Sequence, residues 1–367
     1  MNMKNKAKQK ITLSTGNMFA ILIVTLLGSN FLDLSSCLAK YSGPSGYWSL
    51  GVAALIMLLV IGLAQLIGGR FPGQNLWGIA PGVIGKPLAH IGNLLFLSSF
   101  LIWCCLAIRD GVDLILTYLL NRTPFWAALL LFLSGVAYIA LNGLATVSRF
   151  IAFLLVPVYI LRIIMGLFIL QKIEVSHLLP LFSDTPGEYL RGGLVITVFF
   201  LPLTTNFLMI NRLKKPAKAG LISLSALGGV FPVFLLGILG TIGTFGAKYT
   251  QFFNWPEISA VHHVNIPFMV IEQLGLLFVI VWITTFFATQ IYYFYVIADG
   301  LKQQFPALNY QWTIIILSIS AGIIGMVYPS SIVAHQLFSR IRPWLIIPVT
   351  AYPGLLYLMA LLRKKRG

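Results

Sequence analysis

Ten long apolar stretches separated by short loops constrain the fold of this chain more than any other feature. A helix that crosses a bilayer needs about 20 mainly apolar residues. The composition agrees, because 58% of the 367 residues are hydrophobic and only 9% are charged. A soluble domain of this length could not bury so many apolar side chains. We therefore predict an all-α, polytopic membrane protein whose residues 1–367 form a single integral domain. The predicted spans are residues 15–38, 46–69, 87–120, 124–141, 147–171, 190–211, 218–246, 266–300, 311–328 and 341–362.

Basic residues are distributed unequally between alternate loops. With a cytoplasmic N-terminus, sixteen Lys and Arg residues fall on the cytoplasmic side and seven on the outer side. This bias is the positive-inside pattern, so we predict a multi-pass protein of the cell membrane with both termini in the cytoplasm. Residues 1–14 would be an N-terminal segment, 15–362 the ten-helix bundle and 363–367 a basic tail. Topology thus explains the net charge of +16, and we expect the lipid bilayer rather than nucleic acid as a partner.

The sequence shows no pattern typical of a metal site, a cofactor or covalent catalysis. The three cysteines, Cys37, Cys104 and Cys105, and the adjacent His262 and His263 lack ligand spacing. A nucleophile triad, a Walker loop and a dinucleotide fingerprint are all missing from the sequence. We therefore expect no metal, no cofactor and no enzymatic activity.

Spans one and six are both interrupted by polar and helix-breaking residues. Ten spans with both ends on one side can divide into a five-plus-five inverted repeat, in which the first helix of each half is broken. Such breaks offer N–H groups to a carboxylate and carbonyl groups to an ammonium or a cation. We predict a binding site there for a ligand of amino-acid size, with ordinary helix-to-helix hydrogen bonding as the alternative. The residues at the breaks are Gly28, Ser29 and Asn30 in span one, and Pro202, Thr204, Thr205 and Asn206 in span six.

Span eight carries a polar stripe that could belong to the same site. Thr285 and Thr289 are four residues apart and therefore share one helix face. In an inverted-repeat fold this helix flanks the broken pair, so its hydroxyl groups could contact a ligand or a cation. Hydrogen bonding between helices is the equally open alternative.

Ionisable residues within the spans form a second group of candidates. Charge inside a membrane is costly, so each such residue is a candidate for function. We predict that they line an outer vestibule or couple an ion, although pairing with one another would also satisfy them. The candidates are Asp33, Arg109, Asp113, Arg162 and Glu272.

Several short motifs resemble the endospore germination permease family, the B subunits of nutrient germinant receptors. The motif RFPGQNL at 70–76 resembles the loop after that family's second span. The other pieces, in the family's order and spacing, are IAP at 79–81, GK at 85–86, NLL at 93–95, RTPFW at 122–126, YIA at 138–140, Gly143, RF at 149–150, LLP at 178–180, WP at 255–256 and IPF at 266–268.

The resemblance implies membership of the amino acid–polyamine–organocation transporter superfamily, with its ten-span inverted-repeat fold. It also implies partners, namely a germinant receptor A subunit and a lipoprotein C subunit in the spore inner membrane. The B subunits are thought to bind a small nutrient, commonly an amino acid, and to signal to those partners. This chain departs from the family by having Thr204, Thr205 and Asn206 where a glutamate is common.

Three functions are compatible with these features. The leading hypothesis is a nutrient sensor that starts spore germination through its partner subunits. The second is a secondary amino acid transporter coupled to protons or sodium, with Glu272 or Asp33 as the coupling carboxylate. The third is a structural membrane subunit whose polar residues serve only packing.

Overall fold

The computed structural model describes residues 12–29, 31–182, 185–263, 274–328 and 331–365. These ranges are helical, apart from loops and one isolated bridge between Leu13 and Leu213. The helices of the first half are α1 (Thr15–Leu27), α2 (Leu34–Ser42), α3 (Tyr47–Arg70), α4 (Leu76–Ile84), α5 (Lys86–Tyr118), α6 (Phe125–Leu141) and α7 (Gly143–Ile169). Those of the second half are α8 (Pro186–Ile196), α9 (Asn206–Met209), α10 (Ala219–Phe245), α11 (Ala247–Thr250), α12 (Pro256–His262), α13 (Leu274–Gln304), α14 (Tyr310–Val327), α15 (Ser331–Ile341) and α16 (Ile346–Leu362).

The helices follow the predicted apolar spans closely, which confirms the all-α membrane class. Eight segments among the described residues are apolar and at least 18 residues long, which is enough to cross a membrane. Two further apolar helices, α1 and α6, are shorter, at 13 and 17 residues. The count of ten spans therefore stays a prediction.

Large apolar side chains on the periphery of the bundle indicate a lipid-facing surface. Leu131 on α6 is 70% exposed, and Phe153 on α7 and Leu362 on α16 are each 78% exposed. Exposure of such a surface to water would be unfavourable, whereas contact with lipid tails costs no free energy. The chain is therefore a multi-pass membrane protein.

The first predicted span lies at the centre of the bundle and is broken. Its first part, α1, packs against α7, α10 and α13, and residues 20–27 are each at most 1% exposed. Gly28 caps α1, and the chain continues through a 3-10 turn, Phe31–Asp33, into α2. We call α1, this break and α2 together helix one. Asn30 lies outside the described residues.

The sixth predicted span is interrupted in a different way. Between α8 and the single turn of α9, residues Thr197–Thr205 form a 3-10 helix that contains Pro202. Proline has no N–H group to donate, so it disrupts regular α-helical hydrogen bonding at this point. We call this whole segment, 186–209, helix six. Helices one and six are both broken, which confirms the prediction that the first helix of each half is interrupted.

Four short helices, α4, α11, α12 and α15, were not predicted. They have 4 to 11 residues. Because a membrane span needs about 20 residues, segments this short were assigned to loops. Two of them matter for the site. Helix α12 carries Glu257, and α15 leads into the 3-10 turn Arg342–Trp344.

The two ends of the bundle are named after the predicted topology. The outer end carries Lys40, Arg191 and Arg340, and the inner end carries Leu13 and Arg212. Leu13 is 1% exposed, so the fold begins within the predicted N-terminal segment 1–14.

Gly28→Ala is expected to lower the unfolding midpoint. The added methyl group would overlap the Thr285 carbonyl and the Thr289 hydroxyl of α13, and overpacking of this kind costs about 1–3 kcal/mol. Gly51→Ala on α3 is the matched control, because the added carbon meets no described atom within 4 Å. Thermal unfolding in detergent, followed by size-exclusion chromatography, measures the difference. Equal midpoints for the two variants would contradict this close packing.

Candidate functional site

The first part of helix one, α1, packs against the 3-10 segment of helix six. The hydroxyl groups at both breaks bond to nearby backbone carbonyls. The hydroxyl of Ser29 donates to Thr25 O at 2.6 Å. In helix six, Thr204 donates to Leu201 O at 2.7 Å, and Thr205 donates to Pro202 O at 2.6 Å. Each hydroxyl thus satisfies a backbone acceptor and still has lone pairs with which to accept a hydrogen bond.

Asn206 differs from its neighbours because one of its polar atoms has no partner among the described residues. Its Nδ2 donates to Ser223 Oγ on α10, whereas its Oδ1 is buried without a hydrogen bond. A buried acceptor left unpaired costs free energy, so a donor bound at this position would be favourable. Asn206 Oδ1 is therefore available to accept from a bound donor.

Helix α13 packs directly on the break of helix one. Thr289 donates to Thr285 O at 2.8 Å and approaches Thr25 O at 3.4 Å. Thr289 of the predicted polar stripe thus lies beside the broken helix, and one turn further along α13 Tyr293 OH lies 3.4 Å from Ser29 Oγ. Thr285 donates within α13, to Trp282 O at 2.7 Å.

Gln290 on the same helix was not among the predicted residues. Its side chain is fully buried, and neither amide atom has a hydrogen-bond partner within the described part of the chain. A glutamine within a long apolar span is a signal that could have been read from the sequence.

Six predicted residues are buried at the two breaks and on the facing helix α13, and we call this set of side chains the central chamber. All of them are at most 1% exposed, so none is accessible from either side of the membrane in this conformation. Its members are Ser29, Thr204, Thr205, Asn206, Thr285 and Thr289.

An ion pair closes the outer side of the chamber. Arg342 pairs with Asp33 at the start of α2, and its Nη2 donates to Cys37 Sγ at 2.9 Å. The guanidinium group also lies over the Phe199 ring of helix six, 4.8 Å from its centroid. Arg342 therefore holds the outer parts of both broken helices together. In the sequence it stands among the outer-loop charges, with nothing to mark it as the partner of Asp33.

A second buried ion pair lies in the same outer layer. Arg162 of α7 approaches Glu257 of α12 at 3.6 Å, and both side chains are 2% exposed. The guanidinium group stacks over Phe278 of α13, 4.6 Å from the ring centroid. Glu257 was not among the predicted candidates, because it lies in a predicted loop between two spans.

A third ion pair, between the candidates Arg109 and Asp113, is peripheral to the chamber. Arg109 bonds to Asp113 at 2.7 Å on α5, and it donates to the carbonyl groups of Gly325 and Tyr328 at the end of α14. None of these contacts involves helix one or helix six. Glu272 lies outside the described residues.

A polar network closes the inner side of the chamber. Arg212 donates two hydrogen bonds to Asp299, at 2.6 and 2.9 Å. Gln303 donates to Asp299 at 2.6 Å and accepts from Asn75 at 3.0 Å. The N-terminal segment reinforces this layer, because Leu13 N donates to Arg212 O at 2.6 Å.

The arrangement is that of a buried polar group with a polar or charged layer on each side. Such a group could bind a solute if one of the two layers opened, without any covalent chemistry. The expectation that no metal or cofactor is bound stays a prediction.

Comparison with known sequences shows the family of this chain. The description of the matching family is spore germination protein, of the spore permease type, and the match covers residues 12–332. Spore germination protein A2 of Bacillus subtilis (strain 168) is 25% identical over 359 residues, which are 97% of each chain. Spore germination protein B2 of the same organism is 20% identical and covers 94% of each chain.

Solved transporter structures share the fold. Mhp1, a nucleobase-cation-symport-1 family transporter solved with bromovinylhydantoin bound, matches with a TM-score of 0.69 and 14% identity, covering 95% of this chain and 82% of that one. MhsT in complex with L-phenylalanine matches with a TM-score of 0.68 and 16% identity, covering 94% and 88% of the two chains. The family match over most of the chain and these structural neighbours agree: the protein belongs to the spore permease family of spore germination proteins and has a transporter fold.

Proposed function

We propose that this protein is the B subunit of a spore germinant receptor, which binds a small nutrient in the central chamber and signals that event to partner subunits. The observation that carries the proposal is the enclosed polar group between the two broken helices, with Asn206 Oδ1 left as an acceptor. Membership of the spore germination family supplies the biological setting.

The chemistry of the chamber favours an amino acid as the nutrient. Broken helices present N–H groups to a carboxylate, while carbonyl and amide oxygens, including Asn206 Oδ1, suit an ammonium group. Every described chamber residue is uncharged, which matches a zwitterion of zero net charge. A neighbour with the same fold, MhsT, was solved with L-phenylalanine, which supports a ligand of this size.

Signalling requires the ligand to prefer one arrangement of the bundle. A ligand shifts an equilibrium only through unequal affinity for the two states. The outer layer with Arg342 and the inner layer with Arg212 are the elements whose opening a ligand could bias. We propose that a germinant receptor A subunit and a lipoprotein C subunit detect this change in the spore inner membrane, with both termini of this chain cytoplasmic.

A secondary amino acid transporter driven by protons or sodium is the second candidate. The transporter fold of the structural neighbours favours it. Asp33 is a poor coupling carboxylate, however, because Arg342 already neutralises it in this conformation. Coupling through Glu272 remains part of this alternative.

Binding and flux measured together distinguish the two candidates. The purified protein in proteoliposomes is tested against a panel of L-amino acids, with an imposed proton or sodium gradient. We expect saturable binding of at least one amino acid without accumulation inside the vesicles, because a sensor has no need to open both layers in turn. Concentrative uptake would instead establish the transporter, and failure of the whole panel to bind would contradict both.

Two substitutions test the location of the site. Thr205→Val and Asn206→Ala are each expected to weaken amino acid binding about tenfold, because each removes a hydrogen-bonding group worth about 1–2 kcal/mol. Isothermal titration calorimetry or scintillation proximity measures the affinity.

Thr284→Val is the matched control for this test. Thr284 lies on α13 next to Thr285, but it is partly exposed, and its hydroxyl donates within its own helix, to Ile280 O. The affinity of the Thr284→Val protein for the amino acid should equal that of the wild type. Unchanged affinity in well-folded Thr205→Val and Asn206→Ala proteins would place the ligand elsewhere.

A further inference from the structure

A basic pocket lies at the outer end of the bundle, apart from the central chamber. It has a volume of about 540 Å³ and forms where α2, α8 and the segment from α15 to the 3-10 turn Arg342–Trp344 meet. This volume falls in the usual range for small-ligand sites, about 300–1,000 Å³. Its polar lining comes mainly from Lys40, Tyr41, Arg191, Gln336, Ser339 and Arg340.

The charge of this pocket is strongly unbalanced. Three cations, Lys40, Arg191 and Arg340, line it, and no acidic side chain belongs to the described residues of the lining. Lys40 and Arg191 both lie near the ring of Tyr41, at 5.8 and 5.5 Å from its centroid. Like charges brought together in this way repel one another unless an anion lies between them.

The concentration of cations here runs against the topology of the chain. Only seven basic residues fall on the predicted outer side, and three of them line this one pocket. The positive-inside rule disfavours basic residues in short outer loops. Binding of an anion would explain why three of them lie together here.

The pocket lies at the level of the membrane surface. Its lining includes Trp344, which is 68% exposed and stands just before α16, at the start of the last membrane-spanning segment. Exposed tryptophan beside a span end is typical of the headgroup region. Arginine in this region can bind phosphate oxygens in a bidentate manner, which a single point charge cannot do.

We propose that this pocket binds a phosphate oxyanion. The phosphate comes either from the headgroup of an anionic phospholipid or from a free anion in solution. Arg191 and Arg340 donate to its oxygens, Lys40 adds a third charge, and Gln336 and Ser339 provide further polar contacts.

Occupancy of the pocket would also support the closed outer layer. Arg340 and Trp344 line the pocket, while Arg342, between them in the chain, points inward to Asp33. An anion that fixes this turn therefore fixes the arginine that joins helices one and six.

The test compares the protein in nanodiscs of different composition. Thermal unfolding is measured in phosphatidylcholine alone, in phosphatidylcholine with phosphatidylglycerol, and in phosphatidylcholine with inorganic phosphate in the buffer. We expect phosphatidylglycerol or phosphate to raise the unfolding midpoint by about 3 °C through preferential binding to the folded state. A rise with the lipid only identifies a headgroup, and a rise with phosphate as well shows that a free anion suffices.

Substitutions connect the effect to the pocket. Arg191→Gln and Arg340→Gln should each remove most of the stabilisation, whereas Arg122→Gln, at an exposed outer-loop position outside the pocket, should retain it. All three side chains are exposed, so folding should be preserved. The proposal is overturned if neither additive raises the midpoint, or if Arg122→Gln loses as much stabilisation as Arg191→Gln.

Discussion

A helix that is broken inside a membrane leaves backbone N–H and C=O groups that no water can satisfy, and the architecture of this protein depends on how those groups are paired. The hydroxyl groups of Ser29, Thr204 and Thr205 pair some of these carbonyl groups by donating to them within their own helices. Both breaks are also buried at the centre of the bundle, where neighbouring helices rather than lipid surround the remaining backbone groups. The same requirement produces a polar chamber in an otherwise apolar interior.

The chamber is enclosed by charge on its outer and inner sides. Replacing a buried ion pair by apolar residues is often neutral, whereas removing one partner costs about 3–5 kcal/mol because the other is left buried and uncompensated. Arg342 with Asp33 on the outer side is such a buried pair, whereas Arg212 with Asp299 on the inner side is partly exposed, so removing one partner is expected to cost more in the outer pair than in the inner pair.

The sequence predicted the parts of the fold that local patterns determine. Span positions follow from runs of apolar residues, and the breaks follow from Gly28 and Pro202 because these residues act on their own backbone. The partner of Asp33 could not be predicted, because Arg342 lies 309 positions away and resembles any other outer-loop charge.

The same limit explains the other site residues that sequence reasoning missed. Glu257 sits on a helix of 7 residues, too short for the periodicity of a span to reveal it. Arg162 and Arg109 were predicted as candidates because charge inside a span is costly, but only the fold shows that Arg162 faces the outer layer and Arg109 the end of α14. Local chemistry therefore identifies candidates, and tertiary packing decides which of them meet.

Thiol labelling of Cys37 tests most directly whether the nutrient controls the closed outer layer. Cys37 is buried beside Arg342, so a maleimide added to the protein in membranes should react slowly, and more slowly still with a bound amino acid. Asp33→Asn should accelerate the reaction at least about tenfold by releasing Arg342, whereas Asp113→Asn, which breaks the peripheral pair with Arg109, should not. Equal labelling rates with and without ligand, and in both variants, would contradict the account.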